Sequence, residues 1–157
     1  MSASDWAEVS AIYLEGIRSG HSTFETTVPA WEQWDAAHLP IARLVMRDGE
    51  LVVGWAALSP ISRRHVYRGV AESTVYVKES HRGKGVGRAL LEALIAESEK
   101  NGIWTLHASI FPENTASVEL HLSCGFREVG RRERIAQLNG VWRDTLLLER
   151  RSRTVGV

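Results

Sequence analysis

The chain has one cysteine, Cys124, so it can close no internal disulfide, which fits a reducing cytoplasm. Its six histidines stand at no metal-ligand spacing, and no metal is expected. Nineteen basic residues balance nineteen acidic ones, so composition draws the chain neither to nucleic acid nor to an anionic membrane. No apolar run approaches the roughly 20 residues of a membrane span, and the first residues carry no signal-peptide pattern. Internal repeats, low-complexity tracts and linkers are lacking too. What remains is 157 residues, 44% hydrophobic and 24% charged, enough for one domain with its own core. Residues 1–150 are read as that domain and 151–157 as the end of a flexible tail beginning at Arg150.

Periodicity orders the elements. A first helix begins near Ser4 or Asp5, carries Trp6, Val9, Ile12, Tyr13 and Ile17, and ends at Gly20. A polar and aromatic loop, His21 to Thr27, leads to a short helix from Pro29 to His38. Strands Ile41–Arg47 and Glu50–Leu58 follow, joined at Asp48-Gly49. Pro60 and Ser62-Arg63-Arg64-His65 read as a loop. A strand from Thr74 to Lys78 then feeds a glycine-rich run and a helix, Arg88–Lys100, which stops at Asn101-Gly102. A buried strand, Ile103–Ile110, is broken by Pro112. Asn114 caps a further helix that ends at Gly125, and a hairpin, Phe126–Leu138 and Val141–Glu149, turns at Asn139-Gly140. The order argues for an α/β sheet with antiparallel hairpins at both ends and a parallel pair between them.

The glycine-rich run, Arg82-Gly83-Lys84-Gly85-Val86-Gly87, is the chemically informative stretch. Between a strand and a helix, its glycines can bring several backbone N–H groups to one anion, and the helix adds free amides and its positive dipole end. A Walker A loop needs Ser or Thr after Gly-Lys, and Gly85 stands there instead. A dinucleotide fingerprint needs G-x-G-x-x-G, and the spacing here is G-x-G-x-G. The pattern Arg-x-x-Gly-x-Gly at Arg82, Gly85 and Gly87 resembles the acetyl-CoA pyrophosphate loop of the GNAT acetyltransferases. Asn114-x-x-Ser117-x-x-Leu120-His121-x-x-x-Gly125-Phe126 resembles that family's second signature. Ala71-Glu72-Ser73-Thr74-Val75-Tyr76-Val77, Thr23-Phe24-Glu25 and Leu120-His121 are similar to its phosphinothricin and methionine sulfoximine or sulfone subfamily.

The resemblance implies a GNAT acyl-CoA N-acyltransferase fold: a mixed, mainly antiparallel sheet whose central parallel pair is splayed around acetyl-CoA, flanked by helices. Such proteins normally open on an edge strand. Only Met1-Ser2-Ala3 precedes the first helix here, so that strand is missing or truncated. The implied reaction is direct acetyl transfer to the α-amine of a small amino-acid-like substrate. Other amines (a polyamine, an aminoglycoside, a protein N-terminus) and a non-catalytic acyl-CoA-binding module are the alternatives. A homodimer is also implied.

Residue roles follow from the same resemblance. Acetyl-CoA is expected at Arg82, Gly83, Lys84, Gly85, Val86, Gly87, Arg88, Asn114 and Ser117, with the Val75-Tyr76-Val77 backbone pairing with the pantetheine and polarising the carbonyl. Glu72 is the expected base, through a water, and His121 the acid for the thiolate or a rival base. Without the resemblance, Glu72 reads as a strand-end surface carboxylate and His121 as a helix-surface histidine. Phe24, Arg64, Tyr67 and Thr74 are the expected substrate contacts, with Arg63 or Arg68 able to replace Arg64 at the carboxylate. Cys124 reads as packed rather than nucleophilic. Trp142 reads as core, with a dimer interface as the alternative.

Overall fold

The computed structural model describes residues 1–157 as one six-stranded sheet, ordered β1-β2-β3-β4-β6-β5, with helices on both faces. The elements are α1 (Trp6–Ser19), α2 (Trp31–Ala37), β1 (Leu44–Asp48), β2 (Leu51–Pro60), β3 (Val70–Val77), α3 (Val86–Lys100), β4 (Thr105–Ile110), α4 (Thr115–Ser123), β5 (Arg127–Leu138) and β6 (Val141–Arg151). Neighbouring strands are antiparallel except β3 and β4, the central parallel pair. No strand precedes α1; a single 3-10 turn, Ala3–Asp5, leads into it, and β1 is the sheet edge.

Turn chemistry sets both hairpins. Gly49 and Glu50 form the first loop, with Gly49 at φ 60 and Glu50 negative, as a type II′ turn requires. The turn therefore lies one residue later than the Asp48-Gly49 reading. Asn139 (φ 50) and Gly140 (φ 80) turn the second hairpin as expected, in the type I′ pattern. β3 begins at Val70, upstream of the expected Thr74, because Val70 to Glu72 find partners on β4.

The two faces of the sheet bury different cores. Leu90, Leu91, Leu94 and Ile95 lay one stripe of α3 on Val53, Ala56, Leu58, Leu106, Ala108 and Leu148. On the other face, Val9 and Ile12 of α1 and Trp34 of α2 pack on Val52, Trp55 and Ala57. That side is aromatic: Trp55 stacks on Tyr76 (4.9 Å) and meets Trp34 edge-on (5.7 Å). Gly16 makes the arrangement possible, since a methyl there would collide with the Tyr76 ring.

Two expectations are overturned. Trp142 is 56% exposed on the closing hairpin and is no core residue, because it lies at the distal end of β6, beyond Leu146 where pairing with β4 ends. The expected tail does not fray. Arg150 and Arg151 belong to β6, Ser152 is buried and donates its N–H to Trp104 O (2.8 Å), and Arg151 Nη1 donates to Val155 O (2.8 Å). Cys124 packs against the α3-side core.

Candidate active site

β3 and β4 pair only from Val70–Thr105 to Glu72–His107 and then part. The gap widens into a cleft of 830 Å³, floored by the parting strands and walled by the His21–Glu25 segment, α2, the glycine loop and α4. Lys78 donates to Val53 O (2.8 Å), and ladder alternation turns the backbone groups of Tyr76 and Thr74 the same way, toward β2. The N–H and C=O of Val75 and the N–H of Val77 therefore face the cleft, free to pair with an extended ligand, while the Val77 C=O accepts from Arg82. Tyr76 is different: its backbone serves β2, and burial pushes its phenol far above the ordinary range.

The glycine loop closes one end. Gly83 (φ 72) and Gly85 (φ 82) are left-handed, with open space where a Cβ would stand, so glycine is needed there for backbone conformation rather than room. Gly87 stands in close quarters: a Cβ would meet Leu120 Cδ2 at 3.2 Å and Val77 at 3.5 Å, so the leucine would have to shift slightly where α3, α4 and β3 converge. Gly85 is the N-cap of α3 and no side chain caps that helix, so its first amides stay free for an anion. Arg82 donates its Nε to Val77 O (3.4 Å), and Arg88 pairs with Glu92 (3.2 Å). Arg82, Gly83, Gly85, Gly87 and Arg88 all line the cleft. Lys84 does not, and Val86 is buried in the α3-side core.

On the α4 wall, Asn114 Oδ1 accepts the Ser117 N–H (3.3 Å), which leaves the amide Nδ2 for a ligand. His121 Nδ1 lies 2.7 Å from Ser117 O, so Nδ1 carries the proton and donates, and Nε2 keeps its lone pair. Burial holds this imidazole below its ordinary pKa, against the opposing pull of the Ser117 carbonyl. A neutral histidine of this tautomer takes a proton before it can give one.

Glu72, Thr74, Ser59, Ser109, Phe111 and Thr145 share one face of the sheet by strand register, the face that α1 and α2 cover. All six line the cleft. Phe24 meets Phe111 edge-on (4.8 Å) and helps close this side. Arg143 straps the same end: it donates to Gly20 O (2.9 Å), pairs with Glu113 (3.3 Å) and lies 4.3 Å over Phe111. Arg64 and Tyr67 are not brought to the cleft. They stand exposed between β2 and β3, the Arg64 guanidinium 5.5 Å over the Tyr67 ring, and Arg68 covers Trp104 instead. Arg63 and Arg68 do not line the cleft either.

Four buried side-chain polar atoms have no hydrogen-bond partner: Trp34 Nε1, Trp55 Nε1, His121 Nε2 and Thr145 Oγ1. All four residues line this cleft. Buried polar groups are nearly always paired; here Trp34 and Trp55 belong to the aromatic core behind the cleft, and His121 and Thr145 to its walls. Trp34, His38, Trp55, Ser59, Ser109 and Thr145 were not singled out from sequence. Alternation along β4 groups Ser109 with Phe111, but only strand register sets Thr145 beside them.

A parallel pair that parts over a glycine loop and helix N-terminus, with a second helix across the gap, defines the acyltransferase class of α/β fold. The Acetyltransferase (GNAT) family profile matches residues 6–126, and the chain belongs to that family. A phosphinothricin N-acetyltransferase of Alcaligenes faecalis is 36% identical over 155 residues, covering 93% of this chain and 77% of the relative. A Brucella melitensis ribosomal-protein-alanine N-acetyltransferase superposes with TM-score 0.88 at 30% identity, covering 97% of each chain. A Sinorhizobium meliloti phosphinothricin acetyltransferase, solved in complex with acetyl-CoA, gives TM-score 0.88 at 27% identity, covering 99% of this chain and 88% of that one.

Proposed function

We propose that this chain transfers the acetyl group of acetyl-CoA to the α-amine of a small amino-acid-like acceptor of the methionine sulfone, methionine sulfoximine or phosphinothricin type. One observation carries the reading: a single cleft joins the glycine loop, the unpaired backbone of Val75 and N–H of Val77, Glu72 and His121. The phosphinothricin N-acetyltransferase likeness along nearly the whole chain supports the acceptor class.

The open amides of the glycine loop and α3, with Arg82 and Arg88, suit a diphosphate. Val75, Val77 and Asn114 Nδ2 suit the amide-bearing arm. Bound there, acetyl-CoA supplies the activated acetyl group. A backbone N–H of Val75 or Val77 polarises the acetyl carbonyl. Glu72 draws the acceptor's ammonium and favours its deprotonation through a water. His121 Nε2 accepts a proton from the reacting nitrogen and returns it to the departing sulfur.

A protein N-terminus is the second reading, favoured by the likeness to the Brucella enzyme. The Phe24–Phe111 contact and the Arg143 strap argue for a compact acceptor. Thiol release from acetyl-CoA, followed by absorbance, decides among methionine sulfone, methionine sulfoximine, phosphinothricin and an alanine-initiated peptide. Turnover with the small acceptors is expected; release at background with every amine would sink the proposal.

A further inference from the structure

His38 closes α2 on the acceptor side of the cleft and is set up as His121 is on the opposite wall. Its Nδ1 lies 2.7 Å from the carbonyl of Trp34, four residues earlier, as that of His121 lies 2.7 Å from Ser117 O. The carbonyl can only accept, so Nδ1 is the protonated nitrogen and Nε2 the free acceptor. The ring stacks on Trp34 (centroids 4.0 Å apart, planes 19°), which fixes its orientation. His38 lines the cleft, is half-buried, and its imidazole makes no other hydrogen bond in the protein.

We propose that His38 is a further catalytic base: its Nε2 takes from the acceptor's ammonium the proton that is finally lost to solvent. The inference rests on the acetyl transfer proposed above. Proton count asks for two acceptors. An ammonium that becomes an amide N–H gives up two protons; one ends on the departing sulfur and the other in water. Fully buried His121 suits the first transfer. Half-exposed His38 suits the second, receiving it through the water by which Glu72 favours deprotonation, while the Glu72 carboxylate holds the ammonium by charge.

The surroundings keep His38 ready. Burial, then the Arg43 cation, hold its pKa below the ordinary value, against the pull of the Trp34 carbonyl. Arg43 donates to His38 O (2.9 Å) and is paired to Asp35 of α2. The other titratable groups on the acceptor side of the cleft are His21 and Glu25 before α2, Tyr13 of α1, and Glu72 and Tyr76 of β3. A base serves best when its pKa lies near the working pH, which an imidazole meets better than a carboxylate.

The test is the pH dependence of kcat and kcat/KM for methionine sulfone acetylation in the wild type, His38→Asn and His38→Gln. Asparagine keeps a donor for Trp34 O and removes Nε2; glutamine places a non-basic amide near Nε2. Both are expected to lower kcat by about 10²-fold with KM little changed, and to remove one of the two histidine ionisations from the acidic limb of the wild-type profile, leaving that of His121. Thermal midpoint and acetyl-CoA affinity should stay at wild-type values. A wild-type profile in His38→Asn overturns the inference, while the proposed acetyl transfer stands. A wild type inactive on every amine overturns that transfer, and the inference with it. Should the variants not fold, a ¹⁵N-histidine spectrum of the wild type at neutral pH decides. Protonated Nδ1 with bare Nε2 is expected, and a proton on Nε2 overturns the assignment.

Discussion

Glu72 of β3 stands in parallel register with His107 of β4 at the last paired position before the strands part. His107 pairs with Glu149 of β6 instead, its Nε2 3.3 Å from that carboxylate, and Glu72 has no ion-pair partner in the chain. A carboxylate at the head of an open cleft without a cation of its own is free to receive one from a ligand. Glu72→Gln is accordingly expected to lower kcat by about 10²–10⁴-fold while acetyl-CoA binds as before. Calorimetric titration beside steady-state kinetics checks both halves.

Gly85→Ala tests the anion loop. Open space surrounds the added methyl, so its cost comes from the left-handed backbone alone, about 1–2 kcal/mol. A fall in thermal midpoint of roughly 3–6 °C is expected, with acetyl-CoA affinity reduced as the amides are displaced. Unchanged affinity would remove the loop from the cofactor site.

Thr145→Val removes a buried hydroxyl that has no partner. The apo protein should gain about 1 kcal/mol of stability, since an unpaired buried polar group costs energy. The acceptor's KM should rise, because Thr145 lines the cleft beside Ser109 and Phe111. Denaturant melts and steady-state kinetics would expose either expectation as wrong.

The pH dependence of stability has a definite sign. His121 and His38 have folded-state pKa values below the ordinary 6.5 of the unfolded chain. As pH falls through 6.5 the unfolded chain binds protons that the folded one does not, so stability is lost with acidification. The lowered carboxylates, Asp5, Glu99, Glu113 and Asp144, contribute stability lost only at lower pH, below 4.5. Between pH 6.5 and 5 the thermal midpoint should therefore fall, and His121→Gln should flatten that slope. A midpoint that rises on acidification through this window would contradict the burial of both rings.

The local parts of the site were legible in the sequence and its assembly was not. Gly83 and Gly85 announce left-handed turns, Asn114 a helix cap, and Asn139-Gly140 a hairpin, because backbone chemistry is local. Strand register is not local. That Glu72 ends a pairing, and that Thr145 shares a face with Ser109, depends on strands distant in sequence. Arg64 and Tyr67 show the reverse failure: the right residue types for a carboxylate sit on a loop that stays outside the cleft. Trp142, read as core by its chemistry, lies on a hairpin face that nothing in this chain covers.

The most direct measurement of the central claim is mass-spectrometric identification of the product formed from acetyl-CoA and methionine sulfone, with wild type and Glu72→Gln assayed side by side. The account predicts N-acetyl methionine sulfone and an equal amount of free coenzyme A from the wild type, and a sharply slower yield from the variant. Wild-type protein that binds acetyl-CoA but acetylates neither this nor any other small amine would contradict it.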